Sequence, residues 1–397
     1  MKLPAFLNDP SISPLEYHHQ ALAWCKEMRE TAPVVYSEEA EVWLVFGYDD
    51  SVHVRSDYKT FSSQHMVSNR GRNTSESGGE SIINMDPPRH RQMRSLITQA
   101  FSARTIVQMA PQIERIVDEL IDNIQAKDVV DWMDAMANPL PVMVISDMLG
   151  LPRQEWRQFK VWNDALMSNQ ADSLEARDNF IRYFVQAIEE HRSSPGDDIL
   201  SQLMAAEVDG ERLSYQDLMS FCFTLFIAGN ITTTTTLGNA ILCFDQHPDQ
   251  FALLQQQPEL AASAVEEILR TMPPGRVGPN DLIDGRTATT DVQLGDQQIH
   301  QGDRLLTIAF SNNFDPSQFP DPERFDIQRN PNRHQSFGHG IHFCIGAPLA
   351  RLEMKIALEK TAQRLPGLHL LHDQPLQLLD SRIMLSPKQL LVALQPA

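Results

Sequence analysis

Cysteine is scarce in this chain. Its 397 residues include four, which are widely scattered and form no CxxC pair: Cys25, Cys222, Cys243 and Cys344. This spacing argues against a disulfide framework and against a cysteine-based zinc site, and it is typical of reduced thiols. Three of the four stand in apolar, helix-like contexts and are expected to be inert core residues. Cys344 differs, because it stands in a segment rich in glycine.

Positive charge is also in short supply. The chain has 33 Lys and Arg against 52 Asp and Glu, for a formal net charge of −19 and a pI near 5.0. Nucleic acids and anionic membranes bind through basic surface, so neither is expected as a partner. The start, MKLPAFLNDPSISP, has no apolar segment behind a basic one. No secretory signal is therefore expected, and a cytoplasmic location follows.

One long stretch carries no charge at all, the 24 residues from Phe221 to Phe244. A stretch of this length could cross a bilayer. Eight of its residues are Thr or Asn, including five consecutive threonines at 232–236, and such side chains are costly against lipid. We therefore expect an interior helix. If it extends from about residue 214 to about 245, it is about 48 Å long and crosses a large domain.

Hydrophobic periodicity predicts a chain made mostly of helices. A helix is expected at 14–31, a strand that runs into a turn at 41–50, and further helices to about residue 271. A loop rich in Ser, Gly and Asn at 62–81 is expected to be mobile. Short strands follow, apart from one helix at 348–365. We see no repeat, and we expect one domain, residues 1–397, that is mainly α with small β-sheets (α+β).

The segment FGHGIHFCIGAPLAR, residues 337–351, carries the sharpest chemical signal. Cys344 stands among glycines directly ahead of a predicted helix, so a thiolate there would face exposed N–H groups and the positive end of the helix dipole. The glycines let the backbone approach a flat ligand closely. The pattern FxxGxxxCxG is expected by chance in roughly one chain per thousand of this length. A ligand-binding thiolate is therefore favoured over an ordinary buried cysteine.

This segment resembles the haem-binding signature of the cytochromes P-450, the haem-thiolate monooxygenases. The resemblance implies haem b (iron protoporphyrin IX) as the cofactor. It also implies that Cys344 is the ligand of the haem iron and donates electron density that favours cleavage of the O–O bond. Phe337, seven residues before the cysteine as in the family, and Gly346 would lie close to the haem. The implied fold is a single large triangular prism crossed by one long distal helix.

Other segments extend the resemblance over most of the chain. EEILR contains the ExxR pair Glu267 and Arg270, and PERF supplies Arg324. In the family, three such residues form a buried ionic cluster behind the thiolate loop. An ExxR pattern alone is weak, because it occurs about once by chance in a chain of this size, usually as an exposed ion pair. Its position, with PERF between it and the cysteine, favours the buried cluster.

Four cations stand where the family binds the two haem propionates. DPPRHRQMR resembles the start of the family's C-helix, and its His90 and Arg94 share one helix face because they are four residues apart. His342 and Arg286 match the other two positions. The segment before Arg286 is longer than is usual in the family and contains Arg276. Which of these two arginines reaches a propionate is therefore left open.

The same stretch, residues 86–107, is basic in an acidic protein. It carries four arginines against one acid: Arg89, Arg91, Arg94 and Arg104 against Asp86. The resemblance implies that this proximal face, on the thiolate side of the haem, receives an acidic electron donor of the ferredoxin or flavodoxin type. The alternative is an ordinary solvated face. Complementary charge acts mainly on the association rate, so reduction by the donor is expected to slow as salt is added.

The threonine run resembles the distal helix of the family. The usual motif there reads Ala or Gly, Gly, any residue, an acid, and Thr, and IAGNIT follows it except at the acid. The matching catalytic candidates are Ala228, Gly229, Asn230 and Thr232. By the resemblance, Gly229 leaves room for dioxygen and Thr232 can donate a hydrogen bond to it.

Helical spacing divides the threonines into two sets. Residues at i, i+3, i+4 and i+7 share one face, and this face is predicted to be directed at the oxygen: Gly229, Thr232, Thr233 and Thr236. Thr234 and Thr235 are expected to bond back to carbonyls one turn earlier.

Ile231 replaces the acid of the motif, which in the family helps to deliver protons, and an isoleucine cannot move a proton. Three accounts stay open: water held by Thr232 and Asn230, a hydroxyl of the substrate, or chemistry other than ordinary dioxygen activation. The first two predict a monooxygenase that inserts one oxygen atom into an apolar small molecule, with electrons from a separate partner. The third predicts a peroxide-driven oxygenase or a haem-thiolate isomerase. No segment resembles the output module of a gas sensor, and the sequence does not identify the substrate.

Overall fold

The structure is a computed structural model. It describes residues 1–9, 11–64, 81–167, 172–208, 210–278, 285–381 and 383–394. Most of the loop predicted to be mobile, 62–81, lies outside the described residues.

α-Helices make up most of the described chain. In order they are α1 (Pro14–Thr31), α2 (Tyr48–Ser56), α3 (Arg89–Ala100), α4 (Ala103–Gln108), α5 (Ala110–Gln125), α6 (Pro139–Met148), α7 (Trp156–Met167), α8 (Asp172–Ser193), α9 (Ile199–Ala205), α10 (Tyr215–Gln246), α11 (Pro248–Gln256), α12 (Ala261–Thr271), α13 (Ala309–Asn312) and α14 (Ala347–Arg364). The helices predicted at 14–31 and 348–365 are confirmed, the second beginning one residue earlier.

The strands are short and form small sheets. They are β1 (Val34–Ser37), β2 (Val42–Val45), β3 (Phe61–Ser62), β4 (Val129–Asp131), β5 (Glu207–Val208), β6 (Glu211–Arg212), β7 (Gly285–Ala288), β8 (Val292–Leu294), β9 (Gln297–Ile299), β10 (Arg304–Thr307), β11 (His369–Leu370) and β12 (Leu391–Ala393). The largest sheet has the order β1-β2-β10-β7-β3, and β2 and β10 are its parallel pair. A second sheet has the order β11-β12-β4, and β5-β6 and β8-β9 are hairpins. The strand predicted at 41–50 is confirmed as β2, although the predicted turn after it begins α2.

α10 is the interior helix that the sequence predicts. The Ser214 side chain accepts the Asp217 N–H while the Asp217 carboxylate accepts the Ser214 N–H, so the helix begins with a capping box. Its 32 residues span about 48 Å. By length and composition α10 could also cross a membrane, but half of its most apolar window is buried inside the protein. It packs on α6, α8 and α12, which is the position of a core helix.

Two glycines let other segments approach α10 closely. A Cβ at Gly229 would lie 2.5 Å from Cδ1 of Ile145 on α6, and one at Gly238 would lie 2.8 Å from Sδ of Met133. Carbon and sulfur atoms do not approach so closely, so a larger residue at either position would require the Ile145 or Met133 side chain to move. Gly229 is therefore a point of direct contact between α10 and α6.

A buried ionic cluster joins α12 to the segment before Cys344. Glu267 and Arg270 are fully buried and pair through two hydrogen bonds of 2.8 Å. The prediction of Arg324 as the third member is wrong, because its carbonyl faces Arg270 while its largely exposed side chain lies 3.7 Å from Asp326. Arg329 takes that position, with Nε 3.2 Å from Oε1 of Glu267.

Candidate active site

Cys344 is presented by a tight loop that begins at Phe337. The Cys344 N–H donates a hydrogen bond to the Phe337 carbonyl at 2.9 Å. Gly338 and Gly340 have φ of +75° and +69°, a conformation that favours glycine. A Cβ on Gly340 would also overlap the carbonyl oxygen of Arg55 on α2. The glycines of this loop are therefore required by its backbone and by its close packing on α2.

The four cysteines fall into the two groups that the sequence predicts, three buried and one accessible. Cys25, Cys222 and Cys243 are buried, and burial raises the pKa of each to about 12, so they are inert thiols. The side chain of Cys344, in contrast, is exposed. It is therefore the accessible thiol of the described chain.

The surroundings of Cys344 act on its thiol in two opposing directions. Enclosing protein atoms raise its pKa, although one side of the thiol is open. The N–H groups of Gly346 and Ala347 and the guanidinium groups of Arg94 and Arg351 oppose that rise. Such donors and cations stabilise the thiolate once a metal ion has displaced the proton. The thiol is thus suited to bind a metal ion.

Two histidines meet beside the loop. The rings of His90, on α3, and His342 are 4.5 Å apart and edge to face. Burial, followed by the neighbouring charge of Arg94, lowers the pKa of His90 to about 4. Burial, followed by the charge of Arg286, lowers the pKa of His342 to about 3, so both rings are neutral. His342 Nε2 lies 3.0 Å from the Ser63 hydroxyl, whereas buried His90 Nε2 has no partner among the described residues.

Arg94 lies against the same loop. It donates hydrogen bonds to the carbonyls of Ile341 and Phe343 at 3.1 and 2.8 Å, and burial lowers its pKa. The nearby acid Asp86 accepts hydrogen bonds from Ser62 and Ser63. The cluster of His90, His342, Arg94 and Arg286 is thus positive overall and could hold an anionic group.

Arg286 and Arg276, the two candidates for contact with a propionate, lie in different surroundings. Arg286 is buried on β7 and its charge acts on His342. The Arg276 guanidinium lies 4.6 Å above the ring of Tyr17 and donates to the Ser381 carbonyl at 2.9 Å. The structure therefore places Arg286, and not Arg276, beside the histidines.

One face of α10 is accessible although the helix runs through the core. Five residues at helical spacing form this accessible stripe: Thr224, Ile227, Ala228, Ile231 and Thr232. Ala228 is exposed, and the other four are partly buried. The Thr232 hydroxyl donates a hydrogen bond to the Ala228 carbonyl at 2.8 Å. Thr232 and Ala228 therefore face open space, together with Ile231.

The structure divides the predicted face of Gly229, Thr232, Thr233 and Thr236. Thr232 is accessible and Gly229 is half-buried beside Ile145, whereas Thr233 and Thr236 are buried. Thr236 bonds back to the Thr232 carbonyl at 2.8 Å, whereas Thr234, expected to bond back, donates to the Ala137 carbonyl at 2.9 Å.

Asn230 is separated from Thr232. Two residues correspond to about 200° around a helix, so the two side chains point to different sides. Asn230 is 1% exposed, and both atoms of its amide lack partners among the described residues. The structure therefore does not bring Asn230 and Thr232 together to hold one water.

An open groove lies where α3 meets the thiolate loop. Its volume is about 580 Å³, and its lining includes Tyr58, Arg91, Arg94, Thr98 and Gly340. Three of the four arginines predicted for this face are exposed: Arg89, Arg91 and Arg104. Arg89 also pairs with Asp217 at 2.8 Å, so part of its charge is balanced within the protein.

A second ionic group, which was not predicted from the sequence, lies beside the loop. It consists of Glu266 on α12, His334 before the loop and Arg351 on α14. Glu266 stands next to the ExxR pair in the sequence, and Arg351 follows the cysteine by seven residues. No spacing rule joins three residues so far apart, so no sequence signal indicated the contact.

Comparison with known proteins identifies the family. The family model described as Cytochrome P450 matches residues 2–138 and 141–393. The polyketide biosynthesis cytochrome P450 PksS of Bacillus subtilis (strain 168) is 35% identical over 374 residues, which cover 89% of this chain and 91% of that protein. Among solved structures, CYP109Q5 from Chondromyces apiculatus is 38% identical with a TM-score of 0.87, covering 96% of this chain and 97% of that one. CYP109E1 from Bacillus megaterium, in complex with testosterone, is 37% identical with a TM-score of 0.85, covering 94% and 99%.

An accessible thiol at a helix N-terminus, beside buried cations, defines a site for a thiolate-bound cofactor that carries negative charge. Haem fits this donor set, because its iron binds thiolates and its propionates are anions. With a family model that spans nearly the whole chain, this chain belongs to the cytochrome P450 family. It is accordingly a haem-dependent oxidoreductase, and the predicted α+β fold is confirmed.

Proposed function

We propose that this protein inserts one oxygen atom from dioxygen into an apolar small organic molecule, with electrons from a separate donor. The observation that carries the proposal is the accessible Cys344 thiol in its glycine loop, beside the cluster of His90, His342, Arg94 and Arg286, called the cation cluster for its two arginines. In this proposal Cys344 is the ligand of the haem iron. Haem b, when bound, supplies the activation of dioxygen.

The cation cluster would hold the propionates. His90, His342, Arg94 and Arg286 supply the donors, and an anion beside His90 would give its buried Nε2 the partner that it lacks. Phe337 and Gly346 would pack close to the haem, as the resemblance implies. The propionates would also favour the protonated form of either histidine, because opposite charge raises the pKa of an imidazole.

The accessible stripe of α10 would face the substrate. Ile227 and Ile231 offer apolar contact, and Ala228 leaves space because its side chain is small. Thr232 is the candidate proton-holding group there, since its hydroxyl donates to the Ala228 carbonyl and keeps lone pairs for a water molecule. Gly229 leaves room for the Ile145 side chain of α6. Asn230 lies on the buried side of α10, so any role it has would not involve direct contact with the substrate.

The groove beside α3 would receive the electron donor. Arg91 and Arg104 present positive charge on a protein with a net charge of −19, so an acidic ferredoxin or flavodoxin would be steered to this face. Reduced, buried thiols and such a donor both suit the cytoplasm, where we place the protein.

The relatives support an apolar substrate of substantial size. CYP109E1 was solved in complex with testosterone, and PksS belongs to polyketide biosynthesis. Apolar pockets bind such skeletons mainly through burial of apolar surface. A steroid or polyketide skeleton is therefore the class that we propose.

A second candidate function rests on Ile231. Among the described residues of α10 the accessible stripe carries no carboxylate, so the usual proton-delivering acid is absent from that face. A peroxide-driven oxygenase receives its oxygen and protons together, and a haem-thiolate isomerase needs no external electrons. Product formation from peroxide without any reductase, faster than with the full electron-transfer chain, would favour this second function.

The test uses the haem-loaded protein with a ferredoxin, its reductase and isotopically labelled dioxygen. Steroids and macrolide polyketides are first titrated to find those that shift the haem absorption spectrum. The proposal predicts one labelled oxygen atom in the product of a binding compound. It fails if neither class shifts the spectrum, or if the product carries no label.

A further inference from the structure

Glu266 holds a cation beside the thiolate loop. Arg351 donates two hydrogen bonds to it, from Nε at 2.7 Å and from Nη2 at 2.8 Å. This two-point contact fixes the plane of the guanidinium. Burial opposes ionisation of Glu266, but hydrogen bonds from Arg351 and His334 outweigh it and lower its pKa to about 2. The carboxylate is therefore charged at neutral pH.

His334 completes the group through both nitrogens of its ring. Its Nε2 lies 3.1 Å from Oε2 of Glu266, and its Nδ1 lies 3.2 Å from the Ser336 nitrogen. Because the Ser336 N–H only donates, Nδ1 accepts, and the ring proton on Nε2 is donated to Glu266. Glu266 and Arg351 thus form an ion pair of one negative and one positive charge, which His334 holds in place.

Direct contacts connect this group to the cysteine. The Arg351 guanidinium lies 4.4 Å above the ring of Phe337, and the His334 ring lies 5.9 Å from it. The Phe337 carbonyl in turn accepts the Cys344 N–H at 2.9 Å. The position of the guanidinium is thus linked to the position of the loop through one aromatic ring.

The charge of Arg351 also lies close to the thiol-bearing loop, since its guanidinium is 4.4 Å from the ring of Phe337, the residue whose carbonyl accepts the Cys344 N–H. Glu266 carries the opposite charge at hydrogen-bond distance from that guanidinium, so it cancels much of the field of Arg351 at the sulfur. A thiolate at Cys344 would therefore lie beside a balanced ion pair rather than beside a lone cation.

We propose that Glu266 and Arg351 form a charge-balanced pair that sets how strongly the Cys344 thiolate donates electron density to the haem iron, with His334 and Phe337 holding the pair in place. These are positioning residues, and the inference rests on the proposed role of Cys344 as the iron ligand. Reduction of the iron adds one negative charge. An unbalanced cation beside the thiolate would raise the reduction potential, and an unbalanced carboxylate would lower it.

The reduction potential of the haem-loaded, full-length protein tests this inference. It is measured at about pH 8, where a histidine of ordinary pKa is neutral. Glu266→Gln is expected to raise the potential and Arg351→Met to lower it, while the double variant returns close to the wild-type value because its net charge is unchanged. If the substitutions only loosened the loop, the reduction potentials of all three variants would shift in the same direction. That result, or three unchanged potentials, overturns the inference.

Two further variants serve as controls. One keeps the charge at position 351 but changes the shape of the side chain, and the other removes a carboxylate far from the thiolate loop. Arg351→Lys keeps the charge and is expected to keep the wild-type potential; a shift equal to that of Arg351→Met contradicts the inference. Asp118→Asn removes a carboxylate that pairs with Lys360 and Arg364, farther along α14. Lys360 is nine residues, about 13 Å of helix, beyond Arg351, so this control is expected to leave the potential unchanged.

The spectrum of the reduced protein under carbon monoxide distinguishes failure of the inference from failure of the proposed function. If the wild-type protein lacks the strongly red-shifted Soret band of a thiolate ligand, Cys344 is not the ligand and the proposed function fails. If the band is present in the wild type and the variants but the potentials do not move as stated, the inference alone fails.

Discussion

The Thr232 hydroxyl donates a hydrogen bond to the carbonyl of Ala228 on the accessible stripe of α10. Replacement of Thr232 by Ala removes the hydroxyl that we propose as the proton-holding group. We expect electron consumption to continue while product falls by at least about tenfold and peroxide is released, since a positioned proton-transfer group contributes about a hundredfold or more to the rate. The ratio of product and peroxide to electrons consumed measures this coupling.

Thr234→Ala is the matched control for that variant. Thr234 is also a threonine of α10, but its hydroxyl donates to the Ala137 carbonyl at 2.9 Å. The control should lose about 1 kcal/mol of stability and keep its coupling. Equal uncoupling in the two variants, or none in Thr232→Ala, contradicts the assignment.

The buried ionic cluster yields a stability prediction that separates two arginines. Arg329→Ala leaves the Glu267 carboxylate with fewer partners in a dry environment, and we expect a loss of about 2 to 4 kcal/mol in the free energy of unfolding. Arg324→Ala removes a largely exposed side chain and should change it by less than about 0.5 kcal/mol. Urea denaturation of both variants checks the difference. A larger effect for Arg324 would restore it as the cluster member.

His18 predicts how stability depends on pH. Burial lowers the pKa of His18 to about 4, and its neutral ring donates from Nε2 to the Thr271 carbonyl at 2.8 Å, against the rings of Phe310 and Phe314 and beside His19. In the unfolded chain the pKa returns to about 6.5. As pH falls from about 6.5 to about 4, the unfolded state binds a proton that the native state does not, so stability is lost.

The variant His18→Gln keeps a donor for the Thr271 carbonyl but does not titrate. Its stability should therefore fall less steeply between pH 6.5 and 4, with the difference reaching on the order of 3 kcal/mol. Urea midpoints measured across this range, for wild type and variant, give the two slopes. Identical slopes would show that His18 is not protonated differently in the two states.

The groove beside α3 predicts salt-dependent reduction. Because Arg91 in its lining and Arg104 on the next helix, α4, are exposed, reduction of the haem by an acidic ferredoxin should slow by about tenfold between low and high salt. Arg91→Glu should slow it at low salt, whereas Arg192→Glu, which reverses an exposed charge on α8, should not. A rate that is independent of salt would exclude docking at this face by charge.

Much of the architecture could be predicted because it depends on local signals. The helix at 14–31, the strand β2 and the long helix α10 follow from periodicity and capping. The glycine loop and Cys344 could be predicted because the loop needs glycine at positive φ. These features are set by residues that are close in sequence.

What could not be predicted depends on contacts between distant segments. Which face of α10 is open depends on the segments that pack against it, so spacing alone grouped the buried Thr233 and Thr236 with the accessible Thr232. The third member of the Glu267 cluster depends on how the chain turns after PERF, which directs Arg329 inward. No spacing in the sequence distinguishes these arrangements from their alternatives.

The central claim is that Cys344 binds the haem iron, and the absorption spectrum of the reduced protein under carbon monoxide tests it most directly. Cys344→Ala is compared with Cys222→Ala, which removes a fully buried thiol on α10. We predict the strongly red-shifted Soret band in the wild type and in Cys222→Ala, and its complete loss in Cys344→Ala. A red-shifted band that persists in Cys344→Ala would contradict the account.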